Sequence, residues 1–263
     1  MKLKKLRLLF DDCKSLLNFN YFNITTNKSK TISSDTLFKI SQSELIINWR
    51  EELGEINLNR IQNITLGSEL VNNIILKPNQ ILSLRYLWKD ASNKQGFKEG
   101  PMFKNGKIHY VTGGGLCLVS TIVFDAALKA NLLILEKHNH STDLWGEDRF
   151  IGLGRDATYV HGLKDLKIKN NFNSDVVFKI WVEPDNLRLK CEILSEKQLD
   201  SRVEIQQNIL KELLPVDISK NAKCDINYRK GWVVETKRVL VPSKRDQTTY
   251  YKIERYNPFK MKD

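Results

Sequence analysis

The spacing of apolar residues predicts one buried helix near the middle of the chain. Between Val119 and Ala130 apolar residues recur at three- and four-residue steps, whereas Asp125 and Lys129 fall off that stripe. This period is typical of an amphipathic α-helix that packs one face on a core. The pattern therefore predicts a central helix that follows the glycine-rich sequence at 113 to 115.

Two strand pairs are predicted after this helix, because apolar residues there alternate with polar ones. The first hairpin joins Val176 to Val182 with Leu187 to Ile193, across a turn of Glu, Pro, Asp and Asn at 183 to 186. The second joins Trp232 to Val241 with Thr248 to Tyr256, across a polar tip. The fold class is therefore α+β, with a mostly antiparallel β-sheet.

The first part of the chain, residues 1 to 72, is predicted to be mainly helix and loop. A helix over Ser41–Leu53 would place Leu45, Ile46 and Trp49 on one side, and residues 2 to 17 have the pattern of a basic amphipathic helix. We expect this helical N-terminal region to be followed by an α+β domain over residues 73 to 263.

Cys117 follows three consecutive glycines, Gly113, Gly114 and Gly115, at the start of the predicted central helix. Glycines allow positive φ angles and close backbone approach. The N–H groups and dipole at a helix N-terminus favour an anion, which lowers the pKa of a thiol. The alternative is that Cys117 is a small buried hydrophobic residue, as free cysteines often are.

His140 and Asp156 follow the helix and complete the chemistry of a Cys-His-Asp triad. A nucleophilic thiolate needs a base, and the base needs a third group to fix its tautomer. The order helix, histidine segment, aspartate strand is similar to that of transglutaminase-like folds, which is an analogy at the level of fold. A zinc site formed by Cys117, His138, His140 and Asp156 is an alternative, although no paired Cys-x-x-Cys or His-x-x-x-His spacing supports it.

The segment from about Ile74 to Ile193 resembles the VanW family, which is named for an accessory protein of B-type vancomycin resistance clusters. The resemblance rests on an ordered series of motifs: Ile75–Ser83, Gly96–Pro101, Gly113–Cys117, Ser120, Glu136–Ser141, Asp156–Thr158, Asp165, Leu166 and Asn170. It implies a role linked to the cell envelope. In one place the sequence departs from the family, because Leu118 stands where the family usually carries a glutamine.

Together, the residues and the resemblance favour a cysteine-dependent amidase or acyltransferase acting on a peptide-containing envelope precursor. The alternative is a non-catalytic protein that binds an anionic cell-wall ligand in the same cleft. The predicted catalytic residues are Cys117, His140 and Asp156. The predicted ligand-binding residues are Gly113, Gly114, Gly115, Leu118, Ser120, Ser141 and Thr158.

Composition adds a strong positive charge to this interpretation. The 263 residues carry 42 Lys and Arg against 31 Asp and Glu, a net charge of +11. This charge predicts attraction to anionic partners such as peptidoglycan-related ligands. Nucleic acid is a less favoured partner, because the basic residues are dispersed and no nucleic-acid-binding motif is present. No Gly-Lys phosphate loop appears, so the sequence predicts no nucleotide cofactor, and it suggests no other.

Cysteine usage and the N-terminus suggest where the protein acts. Cysteines at 13, 117, 191 and 224 are too widely spaced to indicate a disulfide framework. The basic N-terminus reaches Asp11 before any adequate apolar stretch, and no run is long enough for a membrane span. We expect a cytoplasmic protein, and the sequence leaves its oligomeric state open.

Overall fold

The computed structural model describes residues 23–28, 37–89, 91, 95–104, 107–143, 145–215, 228–241 and 247–260. The amphipathic helix predicted over residues 2 to 17, and the cysteines at 13 and 224, lie outside the described residues.

The described residues combine three α-helices with antiparallel strands. The helices are α1 (Ile56–Val71), α2 (Leu84–Trp88) and α3 (Leu116–Lys129). The strands are β1 (Phe38–Ile46), β2 (Ile74–Leu76), β3 (Ile81–Ser83), β4 (Glu99–Lys104), β5 (Lys107–Thr112), β6 (Leu133–Glu136), β7 (Lys167–Lys169), β8 (Val176–Glu183), β9 (Arg188–Ser195), β10 (Arg202–Leu213), β11 (Tyr228–Arg229), β12 (Gly231–Val241), β13 (Gln247–Tyr256) and β14 (Phe259–Lys260). The α+β prediction is confirmed.

The strands form several small sheets in which every pairing between these strands is antiparallel. One sheet has the order β1-β9-β8-β2, a second β10-β12-β13, and a third β3-β7-β6. The pairs β4-β5 and β11-β14 stand apart from these three. Both predicted hairpins are confirmed, since β8 pairs with β9 and β12 pairs with β13.

Helix α3 is the centre of the core, as the apolar stripe predicts. Val119, Ile122, Val123 and Ala126 are fully buried, and the helix packs against β1, β9 and α1. Burial of such side chains typically contributes about 1.5–3 kcal/mol each to folding. The core therefore fixes the position of the N-terminal turn of α3, where Cys117 lies.

The helix predicted over Ser41–Leu53 is wrong. Strand β1 covers the first part of that segment, up to Ile46, and only a short 3-10 turn at Glu51–Leu53 is helical. In β1 buried positions alternate with exposed ones, and Ser43 occupies one of the buried positions. This polar residue can be buried because it donates a hydrogen bond to Asp125 Oδ2 at 2.6 Å. A serine at an inward position hides the two-residue period that identifies a strand.

The division of the chain at residue 72 stays a prediction. Strand β1, which precedes this boundary, pairs along its length with β9, which follows it. Within the described residues, no helix is both long enough and apolar enough to cross a membrane.

Candidate active site

The glycine sequence forms a tight turn that joins β5 to α3. Gly113 and Gly115 have φ angles of 80° and 107°, in the left-handed region that favours glycine. Gly114 is pressed against β4, since a Cβ there would lie 2.1 Å from the backbone of Gly100. The Asn63 side chain of α1 donates a hydrogen bond to Gly114 O at 2.9 Å. These contacts fix where α3 begins.

Cys117 lies in the first turn of α3 and is half-buried. Its Sγ is 3.3 Å from Thr158 Oγ1 and 3.7 Å from the carbonyl oxygen of Tyr159. Burial alone would raise the pKa of the thiol, but the hydrogen bond and charge of His140, together with Thr158, lower this pKa to about 7. The thiol is therefore poised to ionise near neutral pH.

Asp156 binds both the ring and the backbone of His140. Its Oδ2 lies 2.6 Å from His140 Nδ1 and accepts the backbone N–H of His140 at 2.8 Å. Burial would lower the pKa of His140, but Asp156 and Cys117 raise it to about 9. Burial likewise opposes ionisation of Asp156, yet His140 holds the pKa of that carboxyl well below its usual range.

The two shifted pKa values favour an ion pair. Because the pKa of Cys117 is lowered and that of His140 is raised, each by the other group, the arrangement favours thiolate beside imidazolium. With Nδ1 facing Asp156, the second ring nitrogen is the one available for proton exchange with sulfur and substrate. The geometry thus has the thiol, imidazole and carboxylate groups that a Cys-His-Asp triad requires, and their catalytic roles stay predictions.

The amide of Cys117 is the best candidate for an oxyanion donor. The N–H of Leu116 donates to Gly113 O at 3.3 Å, and the N–H of Leu118 donates to Gly115 O at 3.0 Å. Among the described residues, the N–H of Cys117 forms no backbone hydrogen bond outside α3. Its place in the first helical turn, where N–H groups lack intrahelical partners, leaves it available for a developing negative charge.

The remaining predicted ligand-binding residues occupy different environments. Thr158 contacts Cys117, while Ser141 is exposed and accepts a hydrogen bond at its carbonyl from the N–H of Asn257. Ser120 is fully buried, and its hydroxyl has no hydrogen-bond partner within the described part of the chain. Leu118 packs in the apolar core. Their ligand-binding roles stay predictions.

His138 pairs with a carboxylate of its own segment. Its Nε2 lies 3.0 Å from Glu136 Oε1, and this carboxylate also pairs with Lys167 at 2.9 Å. Over the ranges that the structure describes, no group of three or more His, Cys, Asp or Glu side chains is arranged to hold a metal ion.

Two further motif residues stabilise loops around the site. Asp165 accepts hydrogen bonds from Ser83 Oγ at 2.5 Å and from the N–H of Arg85 at 3.0 Å. Asn170 donates from its side chain to the carbonyls of Leu76 and Ser174, both at 2.8 Å. Buried polar side chains of this kind satisfy backbone groups that would otherwise be costly to bury.

Sequence reasoning missed Trp145 and Tyr256. The Trp145 ring meets the edge of the His140 imidazole at a centroid distance of 5.2 Å. Tyr256 is 1% exposed and donates its hydroxyl proton to Asp156 Oδ1. One signal was available: Tyr256 lies on a predicted strand, and a buried tyrosine hydroxyl usually requires a polar partner.

Comparison with known proteins connects this site to a family. Residues 59–192, about half of the chain, match the family described as VanW like protein. The chain is 29% identical over 141 residues to the vancomycin B-type resistance protein VanW of Enterococcus faecalis, covering 53% of this chain and 50% of that protein. It is 28% identical over 123 residues to the uncharacterized protein YoaR of Bacillus subtilis, covering 47% of this chain and 39% of that protein.

The chain therefore spans half or less of the length of these curated relatives. No solved structure matches it significantly. The family match contains the glycine turn, Cys117, His140 and Asp156, and it agrees with the resemblance drawn from the motifs. The chain belongs to the VanW family.

Proposed function

We propose that this protein is a cysteine-dependent acyl hydrolase or acyltransferase. The observation that carries the proposal is the oriented imidazole of His140, which Asp156 holds at 2.6 Å and whose hydrogen bonding and charge lower the pKa of the Cys117 thiol. A surface cysteine or a structural cysteine would not require a charged, oriented imidazole beside it.

The reaction would proceed in two steps. The Cys117 thiolate attacks the carbonyl carbon of an amide or ester, and the amide of Cys117 stabilises the oxyanion. The imidazolium of His140 gives its proton to the leaving amine or alcohol as the carbon–heteroatom bond breaks, which leaves a thioester. His140 then takes a proton from water or from an acceptor nucleophile, which attacks the thioester; the carbon–sulfur bond breaks and Cys117 leaves as thiolate beside the imidazolium.

A peptide-containing envelope precursor is the substrate class that we propose. One relative bears the name vancomycin B-type resistance protein, which links the family to vancomycin resistance. The net charge of +11 favours an anionic substrate, because long-range attraction raises the local concentration of negatively charged molecules.

A non-catalytic binding protein for an anionic cell-wall ligand is the second candidate, and Leu118 is the observation that favours it. Where the resemblance places a glutamine, this chain has a buried leucine that packs in the core. If the glutamine is an oxyanion donor in relatives, its absence would cost about 3 kcal/mol at the transition state. The amide of Cys117 is the donor that would remain.

Acylation by p-nitrophenyl acetate tests the proposal without knowledge of the natural substrate. We expect a burst of nitrophenol equal to the protein concentration, and one acetyl group on the peptide that contains Cys117. Cys117→Ser should abolish the burst, whereas Cys191→Ala should retain it, because Cys191 is fully buried in the core. A burst that persists in Cys117→Ser, or no burst in the wild type, would favour the binding-protein alternative.

A further inference from the structure

Strand β13 and the residue after it contact the residues that precede and follow His140 in the sequence. The Asn139 side chain donates to the carbonyl of Arg255 at 2.9 Å. The N–H of Asn257 donates to the carbonyl of Ser141 at 2.7 Å. These bonds tie the backbone of the histidine segment to the C-terminal strand, on the residue before and the residue after the imidazole.

The same strand contacts the carboxylate that orients the imidazole. Tyr256 donates its hydroxyl proton to Asp156 Oδ1, and the N–H of Gly154 donates to the Tyr256 hydroxyl at 2.7 Å. Both donors from His140 bind the other oxygen, Oδ2. The bond from Tyr256 therefore restrains the carboxylate oxygen that His140 leaves unbonded, so the orientation of the carboxylate is set from both of its oxygens.

A buried ion pair two residues away reinforces the contact. Glu254 shares the inward face of β13 with Tyr256, because alternate residues of a strand point to the same side. Its carboxylate pairs with Lys137 Nζ, and both side chains are 1% exposed. Lys137 also donates to the carbonyl of Gly154 at 3.2 Å. Breaking a pair buried to this extent is costly, so it holds the segments rigidly together.

We propose that Tyr256 is a positioning residue that acts through Asp156, and that β13 is thereby part of the active centre. This inference rests on the proposed acyl-transfer function. It adds to the site a strand that lies outside residues 59–192, the stretch that matches the VanW family. Preorganisation of a catalytic base depends on such supporting contacts.

A double-mutant cycle tests the inference. The rate of iodoacetamide labelling of Cys117 at pH 6 is measured for the wild type, Tyr256→Phe, Asp156→Ala and the double variant. We expect Tyr256→Phe to slow labelling about three- to tenfold, the range typical of the loss of one ordinary intramolecular hydrogen bond. In the Asp156→Ala background the same change should have no further effect, because residues that act through one another are non-additive.

Tyr251→Phe is the matched control, since Tyr251 lies on the same strand but is 54% exposed. It should label at the wild-type rate. Equal slowing by Tyr256→Phe in both backgrounds would indicate a general structural role and would overturn the inference. Wild-type labelling of Tyr256→Phe together with slow labelling of Asp156→Ala would also overturn the inference, but would leave the proposed function intact. Slow labelling of the wild type itself would instead reject the proposed function.

If Tyr256→Phe does not keep the wild-type melting temperature, Asn139→Ala provides the second test. Its amide bridges the histidine segment to the carbonyl of Arg255 from a partly exposed position, so its loss leaves the core unchanged. The same amide also donates to the carbonyl of His140 at 2.8 Å, and we expect about twofold slower labelling of Cys117 from the loss of these partly exposed hydrogen bonds. Labelling at the wild-type rate would show that β13 does not support the site.

Discussion

Selective alkylation of Cys117 is the strongest test of the ion pair with His140. The pKa of this thiol is lowered from 9.0 to about 7. At pH 6 the shift of two units gives about 100-fold more thiolate than an unperturbed cysteine has. A less basic thiolate is a weaker nucleophile, by about six- to tenfold for this shift. We therefore expect Cys117 to label about tenfold faster than an ordinary exposed thiol at pH 6.

His140→Ala should reverse this advantage. Burial raises the pKa of Cys117 while His140 lowers it, so removal of the imidazole leaves the burial cost unopposed. The labelling rate at pH 6 should then fall by more than tenfold, and the midpoint of its pH profile should move from about 7 to above 9. His138→Ala is the matched control, because His138 pairs with Glu136 and not with the cysteine.

The assay measures iodoacetamide incorporation by peptide mass spectrometry between pH 5 and 10, with Cys191 as an internal reference. Burial raises the pKa of Cys191 and removes its thiol from solvent, so it should stay unlabelled in the folded protein. The reasoning is refuted if Cys117 labels at pH 6 no faster than a free thiol, or if His140→Ala leaves its pH midpoint unchanged.

Two further predictions concern stability. The pKa of His140 is raised from 6.5 to about 9, so its contribution to the free energy of unfolding is complete below pH 6.5 and disappears as the pH rises through 9. The pKa of Asp156 is lowered, so its contribution is complete above about pH 3.8. The melting temperature lost in Asp156→Asn should therefore be largest between about pH 4 and 6.5 and shrink towards pH 10; a loss independent of pH would contradict the ion pair. Gly114→Ala should reduce the free energy of unfolding by about 1–3 kcal/mol, because its Cβ would overlap the backbone of Gly100. In denaturant unfolding, a wild-type midpoint for Gly114→Ala would disprove the close contact.

Local periodicity was sufficient to predict the central helix and both hairpins. The stripe from Val119 to Ala130 and the alternation around Cys191 each reflect one buried face, which is a property of neighbouring residues. Strand β1 was missed because one of its inward positions, Ser43, is polar and pairs with Asp125, which is 82 residues away in sequence. That pairing is a property of the tertiary structure, and no local pattern encodes it.

In the candidate site, too, residues that are close in sequence could be predicted, and a residue that is distant in sequence could not. Cys117, His140 and Asp156 lie within 40 residues of one another and carry recognisable chemistry, so sequence reasoning could group them, and the structure places them in contact. Tyr256 lies 100 residues beyond Asp156 on a strand that only the folded sheet brings near. The sequence marked it as a strand residue, but the identity of its partner required the fold.

Sequence and structure differ most in the physical cause that they assign to the lowered pKa of the Cys117 thiol. From the sequence, the N-terminus of the helix was the expected cause of a lowered thiol pKa. In the structure, burial works against the thiolate, and His140 contributes the largest effects that oppose burial. The imidazolium in turn depends on Asp156, whose carboxylate is buried and held by Tyr256. Under the proposed role of Tyr256, the charge at Cys117 depends on a chain of contacts that ends in β13, and we expect changes at this distant strand to alter reactivity without touching the sulfur.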